Sequence, residues 1–192
     1  MELSMKDKII RHSIALFESK GFSETSIQDI VDTLGVTKGT FYYYFTSKEQ
    51  LLTHIHLQYI DYLLAEQQTI FERPDRSCQE KLAGVINMMI REIAEKGASA
   101  RIFFRELIHI SGEDLNVIKG KRDQFRFNLQ SVIEQGMENG EFRNDIPADM
   151  MTFGILGACN WCYTWFNPEG AVSDVEVASI YTKMFLNGLN KQ

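Results

Sequence analysis

A chain of 192 residues with 44% hydrophobic and 24% charged content has the composition of an ordinary soluble globular protein of one or two domains. No apolar run approaches the roughly 18 residues of a membrane span, and MELSMKDKII lacks an apolar signal core, so a cytoplasmic protein is expected. Only three prolines occur, no strand alternation is visible, and apolar residues recur at helical spacing, which predicts an all-α fold.

Residues 5–20 are predicted to form an amphipathic helix, with Ile9, Ile10, Ile14, Leu16 and Phe17 as its stripe and Gly21 as C-cap. Residues 25–34 follow, with Ile27, Ile30, Val31 and Leu34 inward and Thr25 with Gln28 reading as a capping box. Gly35 ends this helix, because glycine crosses easily to the left-handed region. Thr37 is placed to cap a short helix, Lys38–Tyr44, anchored by Phe41 and Phe45. Two short helices joined by a tight turn make a helix-turn-helix.

Either Thr46 or Ser47 starts the next helix, whose stripe continues to about Phe71. His54 and His56 lie two apart and read as solvated rather than as metal ligands. Arg73-Pro74-Asp75 breaks that helix. Further helices are predicted over 77–96 (ended by Gly97), 99–111 (closed by Gly112), 114–139 (ended by Gly140), 148–167 and from Ser173 to about Leu189, about nine in all. Ser173 with Glu176 reads as a capping box for the last.

The stretch GVTKGTFYYYFTSKEQL resembles the DNA-binding signature of the tetracycline-repressor (TetR) family of bacterial regulators. The spacing of Gly35, Gly39, Tyr42, Phe45, Lys48 and Leu51 carries the match, over roughly residues 5–55. The resemblance implies a three-helix DNA-binding head, residues 1–50, and a larger ligand-binding and dimerisation domain, residues 51–192. It implies a repressor that binds a palindromic, double-stranded operator as a dimer and is released by a small-molecule effector.

A recognition helix offers its N-terminal side chains to base edges, while hydroxyls and amides near the turn hold phosphates. Lys38 and Tyr43 are the candidates for base edges or thymine methyls, and Thr37 is a further candidate for DNA contact. The resemblance assigns Thr40, Tyr42 and Lys48 to phosphates. Gly39 permits close backbone approach, Gln28 fits capping or DNA contact, and Thr25 and Ser26 could add phosphate bonds. The net charge of −6 is unusual for a DNA binder, but residues 1–55 carry six Lys/Arg against seven Asp/Glu. With so weak a basic patch, affinity should lean on dimerisation, amides, hydroxyls and helix N-termini.

The second constellation is GACNWCYTWFNPEG, residues 157–170. A small-residue run followed by Asn-Trp-x-Tyr-x-Trp loosely resembles TetR-family regulators of fatty-acid, steroid and aromatic degradation, several of which sense acyl-CoA thioesters. That resemblance implies an acyl chain in the helical core and cations for the CoA phosphates, for which Arg101, Arg105, Arg122 and Arg126 are available. Phe103, on the apolar side of its helix, joins the candidate ligand set. Trp161 and Trp165 fit either a ligand wall or the core or dimer seam, with the packing role favoured for Trp161. The last two helices, about 147–189, are expected to build a four-helix dimer interface. Cys159 and Cys162 have CxxC spacing but lie inside an apolar helix, which favours buried thiols over a redox pair.

No metal set and no cofactor are expected, and no paired carboxylates, Ser/His/Asp order or phosphate loop suggests an enzyme. Two alternatives stay open: a repressor sensing other hydrophobic ligands such as drugs, and a helical ligand-binding protein that has lost DNA binding. The intact Thr37–Lys48 signature weighs against the latter.

Overall fold

The computed structural model describes residues 3–189, and every regular element among them is helical; the termini of the two expected domains, residues 1 and 192, lie outside the described residues. The elements are α1 (Met5–Lys20), α2 (Ile27–Leu34), α3 (Lys38–Tyr44), α4 (Lys48–Phe71), α5 (Cys78–Glu95), α6 (Gly97–Arg105), α7 (Gly112–Glu138), α8 (Ala148–Trp165) and α9 (Asp174–Leu189). A 3-10 turn, Glu106–His109, separates α6 from α7, where one helix over 99–111 was expected. Gly97 opens α6 instead of closing α5, because Lys96 serves as C-cap with its N–H on the Glu92 carbonyl. Gly112, at φ +64, likewise opens α7.

The chain packs into two compact units: Met1–Ile60 with Ala98–Ile118, and Asp61–Gly97 with Lys119–Gln192. Residues 98–118 pack with the first unit, where Ile102, Ile110 and Ile118 complete its core.

In the first unit Ile9, Phe17, Ile30, Val31, Phe41, Phe45, Leu51 and Leu52 are buried against one another. α2 crosses both α1 and α3. His56, expected in solvent, is fully buried in this unit, its Nδ1 3.0 Å from the Leu52 carbonyl and its ring against Phe103. His54 is half-buried beside Phe45, and burial together with the nearby Lys6 charge pushes its pKa down.

In the second unit α5 packs on α8 and α9, with Leu82, Val85, Ile86, Ile90, Ile155 and Val177 inside. Ser77 and Glu80 form a reciprocal capping box at the start of α5, and Glu141 accepts the Gln79 N–H there at 3.1 Å. Just past α7 the chain folds back, and the Phe142 ring lies where a β-carbon on Gly136 would be. Cys159 and Cys162 are buried free thiols; burial pushes Cys159 up to about 12.

Candidate nucleic-acid interface

The helix-turn-helix is built by its caps. Ser26, not Thr25, is the N-cap of α2: its hydroxyl accepts the Asp29 N–H, and the Asp29 carboxylate accepts the Ser26 N–H at 2.8 Å. The Ser26 hydroxyl and N–H, with the Lys20 ammonium 3.1 Å away, hold the Asp29 carboxyl well below the usual carboxylate range. The pattern Ser26-x-x-Asp29 was as legible as Thr25-x-x-Gln28, and backbone geometry chose between them.

Thr25 is buried, and its hydroxyl donates to the Gly21 carbonyl at 2.8 Å. That places it inside the head, away from the phosphate contact expected of it. Gln28 is exposed and donates to Asp32 at 2.6 Å, so it caps nothing.

Gly35 closes α2 at φ 65, ψ 34, with its N–H on the Asp32 and Val31 carbonyls. Thr37 then caps α3, its hydroxyl accepting the Thr40 N–H and lying 3.2 Å from the Thr40 hydroxyl. Phe41 turns fully inward. Thr37, Lys38 and Gly39 at the start of the helix are exposed, as are Tyr42 (51%) and Tyr43 (82%). Two exposed tyrosines on a seven-residue helix make no sense as core. A β-carbon on Gly39 would meet only the Thr37 hydroxyl, at an ordinary 3.5 Å. Nothing inside the chain therefore requires glycine at that exposed position.

Lys48, assigned by the resemblance to phosphate, is engaged within the head in this structure. Its ammonium donates to the carbonyls of Phe22 and Thr25, both at 2.7 Å, and reaches that of Ser23 at 3.5 Å. It also sits 4.3 Å over the Phe22 ring, whose centroid lies 4.9 Å from that of His109. Lys48 thus ties the start of α4 to the loop between α1 and α2. Ser47 caps α4 through the Gln50 N–H, and the Gln50 side chain accepts the Thr46 N–H.

The residues expected to hold an effector are divided between the units. Arg101 and Arg105 line a cleft of about 400 Å³ with Phe17, Lys20 and Glu106 in the first unit. There the Arg101 guanidinium is ion-paired with Glu18. Phe103 is buried between His56 and Tyr59 and reaches no surface. Arg122 and Arg126 belong to the second unit; burial lowers the pKa of Arg122, and Arg126 stacks 3.8 Å over the Phe127 ring.

The two indoles turn outward: Trp161 is 62% exposed and Trp165 48%. They share that face of α8 with Met150 and Phe153, while Ile155, Cys159 and Cys162 take the inner face. Neither Trp is enclosed by its own unit, an exposure open to a partner helix or to a ligand. A four-residue spacing could show that they share a face, but not which way the face points.

Comparison with known proteins matches residues 9–55 to the family model described as bacterial regulatory proteins, tetR family, and residues 75–189 to that described as tetracyclin repressor-like, C-terminal domain. The transcriptional repressor KstR2 of Mycolicibacterium smegmatis is 24% identical over 190 residues, covering 98% of this chain and 92% of that protein. The solved structure of the ketosteroid transcriptional regulator KstR2 of Mycobacterium tuberculosis is 25% identical, with a TM-score of 0.91, covering 100% and 98% of the two chains. AibR in complex with isovaleryl coenzyme A and operator DNA, 23% identical with a TM-score of 0.85 over 94% and 97% of the chains, shares the fold.

Proposed function

The chain belongs to the tetracycline-repressor family and is a ligand-responsive DNA-binding repressor, and from that premise we propose that it reads a palindromic operator as a homodimer and leaves it on binding an acyl-CoA thioester. The observation that carries the DNA reading is the outer face of α3, where Lys38, Gly39, Tyr42 and Tyr43 stand in solvent beside a capped helix start. Lys38 and Tyr43 reach base edges, and Ser26, Thr37, Thr40 and Tyr42 hold phosphates through hydroxyls and nearby amides. Functionally, residues 1–50 read DNA and 51–192 sense and dimerise. The protein acts beside the chromosome in the cytoplasm, and its work is binding, not catalysis.

The exposed apolar face of α8, with Val175, Ile180 and Met184 on α9, supports the dimer. Bare Trp, Phe and Met side chains along two neighbouring helices favour a partner surface, and a second copy supplies the matching one. Gly154 and Gly157 are exposed on α8, which lets a partner helix come close. Two heads would then meet half-sites about 34–36 Å apart or a multiple of that.

The thioester reading is supported by the Asn160-Trp161-x-Tyr163-x-Trp165 run and by two arginines of the second unit, Arg122 and Arg126, whose charge suits CoA phosphates. AibR shows that this fold accommodates a CoA thioester and operator DNA in one complex. An effector shifts the repressor only by binding the DNA-free conformer better. The test is to select an operator from random duplexes, then titrate acyl-CoAs of increasing size into the complex. Release by one size class is expected. No release by any sinks the thioester, and no salt-sensitive sequence-specific complex sinks the DNA reading.

A further inference from the structure

The chain passes between its two compact units three times: at 60/61 in α4, at 97/98 in the first turn of α6, and at 118/119 in α7. On the second unit's side, polar contacts tie these three passages together. Asp61, the first residue after one crossing, accepts the Lys121 ammonium at 2.6 Å, three residues beyond another. Its neighbour Tyr62 donates its hydroxyl to Glu92 at 2.9 Å. Glu92 in turn holds the ammonium of Lys96 at 2.8 Å, and Lys96 is the C-cap residue just before the remaining crossing. That ammonium also lies 3.2 Å over the Tyr62 ring, and Arg91 bridges from Glu92 to Glu66.

These contacts are an inefficient way to hold helices together. Glu92 is fully buried, and taking a carboxylate out of water carries a desolvation cost that its partners only offset, so apolar packing would serve stability as well. Asp61 and Lys121 are solvent-accessible, and such a screened pair contributes little to stability. What directed charges do provide is register: each pair is satisfied at one relative setting of two helices and broken a few ångströms away.

We propose that Asp61, Lys121, Tyr62, Glu92 and Lys96 form a polar collar that makes the three crossings move as one, and that they are positioning residues for passing the binding signal along the chain. The proposal rests on the repressor reading but not on the effector's identity. Events at α2 and α3 reach the second unit through α4, α6 and α7 together, and an effector acts back by the same route, as linkage requires.

The test follows amide hydrogen exchange in the full-length dimer with and without the selected operator duplex. In the wild type, operator binding is expected to slow exchange across 61–71, 86–96 and 119–128 by at least about fivefold. In Asp61→Asn, and separately in Glu92→Gln, that slowing disappears while operator affinity stays within about twofold, a change of under roughly 0.5 kcal/mol. The double swap Asp61→Lys with Lys121→Asp restores it. Glue alone would lower thermal stability without abolishing the operator-induced change. The proposal is overturned if the variants keep the wild-type slowing, if the swap fails to restore it, or if operator affinity falls in step with stability. A wild type that binds no operator overturns the repressor reading itself.

Discussion

The Lys48 ammonium donates to the Thr25 carbonyl at 2.7 Å, across 23 residues of sequence. With its bond to Phe22, this makes Lys48 a brace between the start of α4 and the loop that sets the angle of α2. Replacing it by Met removes the brace while keeping much of the stem. Lys48→Met should lower stability by about 1.5–3 kcal/mol in urea unfolding, the range for bonds to charged groups. Operator affinity should fall with it, but the dependence of log K on log salt should keep its slope. A slope shallower by about 0.9 per subunit would instead mean that Lys48 neutralises a phosphate.

Gly39 costs the free protein helix stability and gains nothing inside it. Gly39→Ala should therefore raise the melting temperature slightly, by no more than about 1 kcal/mol equivalent. Operator affinity should drop at least tenfold, about 1.4 kcal/mol, because the proposed interface brings the DNA backbone to the place of the new methyl. Undiminished binding in a gel-shift titration would remove Gly39 from the interface.

The Asp29 cap carries a pH signature. Its carboxyl is held below its ordinary value, so its contribution is complete above the usual carboxylate range of about 4. It is lost as the pH falls through that range toward the folded-state value. Asp29→Asn should melt earlier than wild type at neutral pH, and the gap should narrow steadily between about pH 5 and pH 3. A constant gap across those thermal melts would mean that the charge is not what Ser26 and Lys20 favour.

Gly136 has no room for a methyl group: a β-carbon would come within 2.3 Å of the Phe142 ring and 3.1 Å of the Cys78 β-carbon. Gly136→Ala should cost about 1–3 kcal/mol through overpacking, against the gain a helix normally takes from alanine. Pairing it with Phe142→Leu should recover part of that loss in denaturant titrations. Equal losses in the single and double variants would contradict the packing argument.

Local chemistry was legible where neighbours in sequence are neighbours in space. The left-handed Gly35, the Thr37 cap, the inward Phe41 and the outward row from Lys38 to Tyr43 follow from helical spacing and turn geometry. The choice of Ser26 over Thr25 was not, because two overlapping capping patterns differ by one residue and the extended backbone at Ser26 decides between them.

The sequence by itself determined that the chain is helical, that residues 27–44 form a capped helix-turn-helix, and that α8 carries an aromatic stripe. These depend on contacts three or four residues apart, which periodicity records. Only the tertiary structure decided that Lys48 is spent on carbonyls of the α1–α2 loop, that residues 98–118 complete the core of the DNA-reading unit, and that Trp161 and Trp165 face outward. Each of those depends on groups tens of residues away, and an ammonium or an indole of given sequence has the same local pattern whichever partner the fold brings to it.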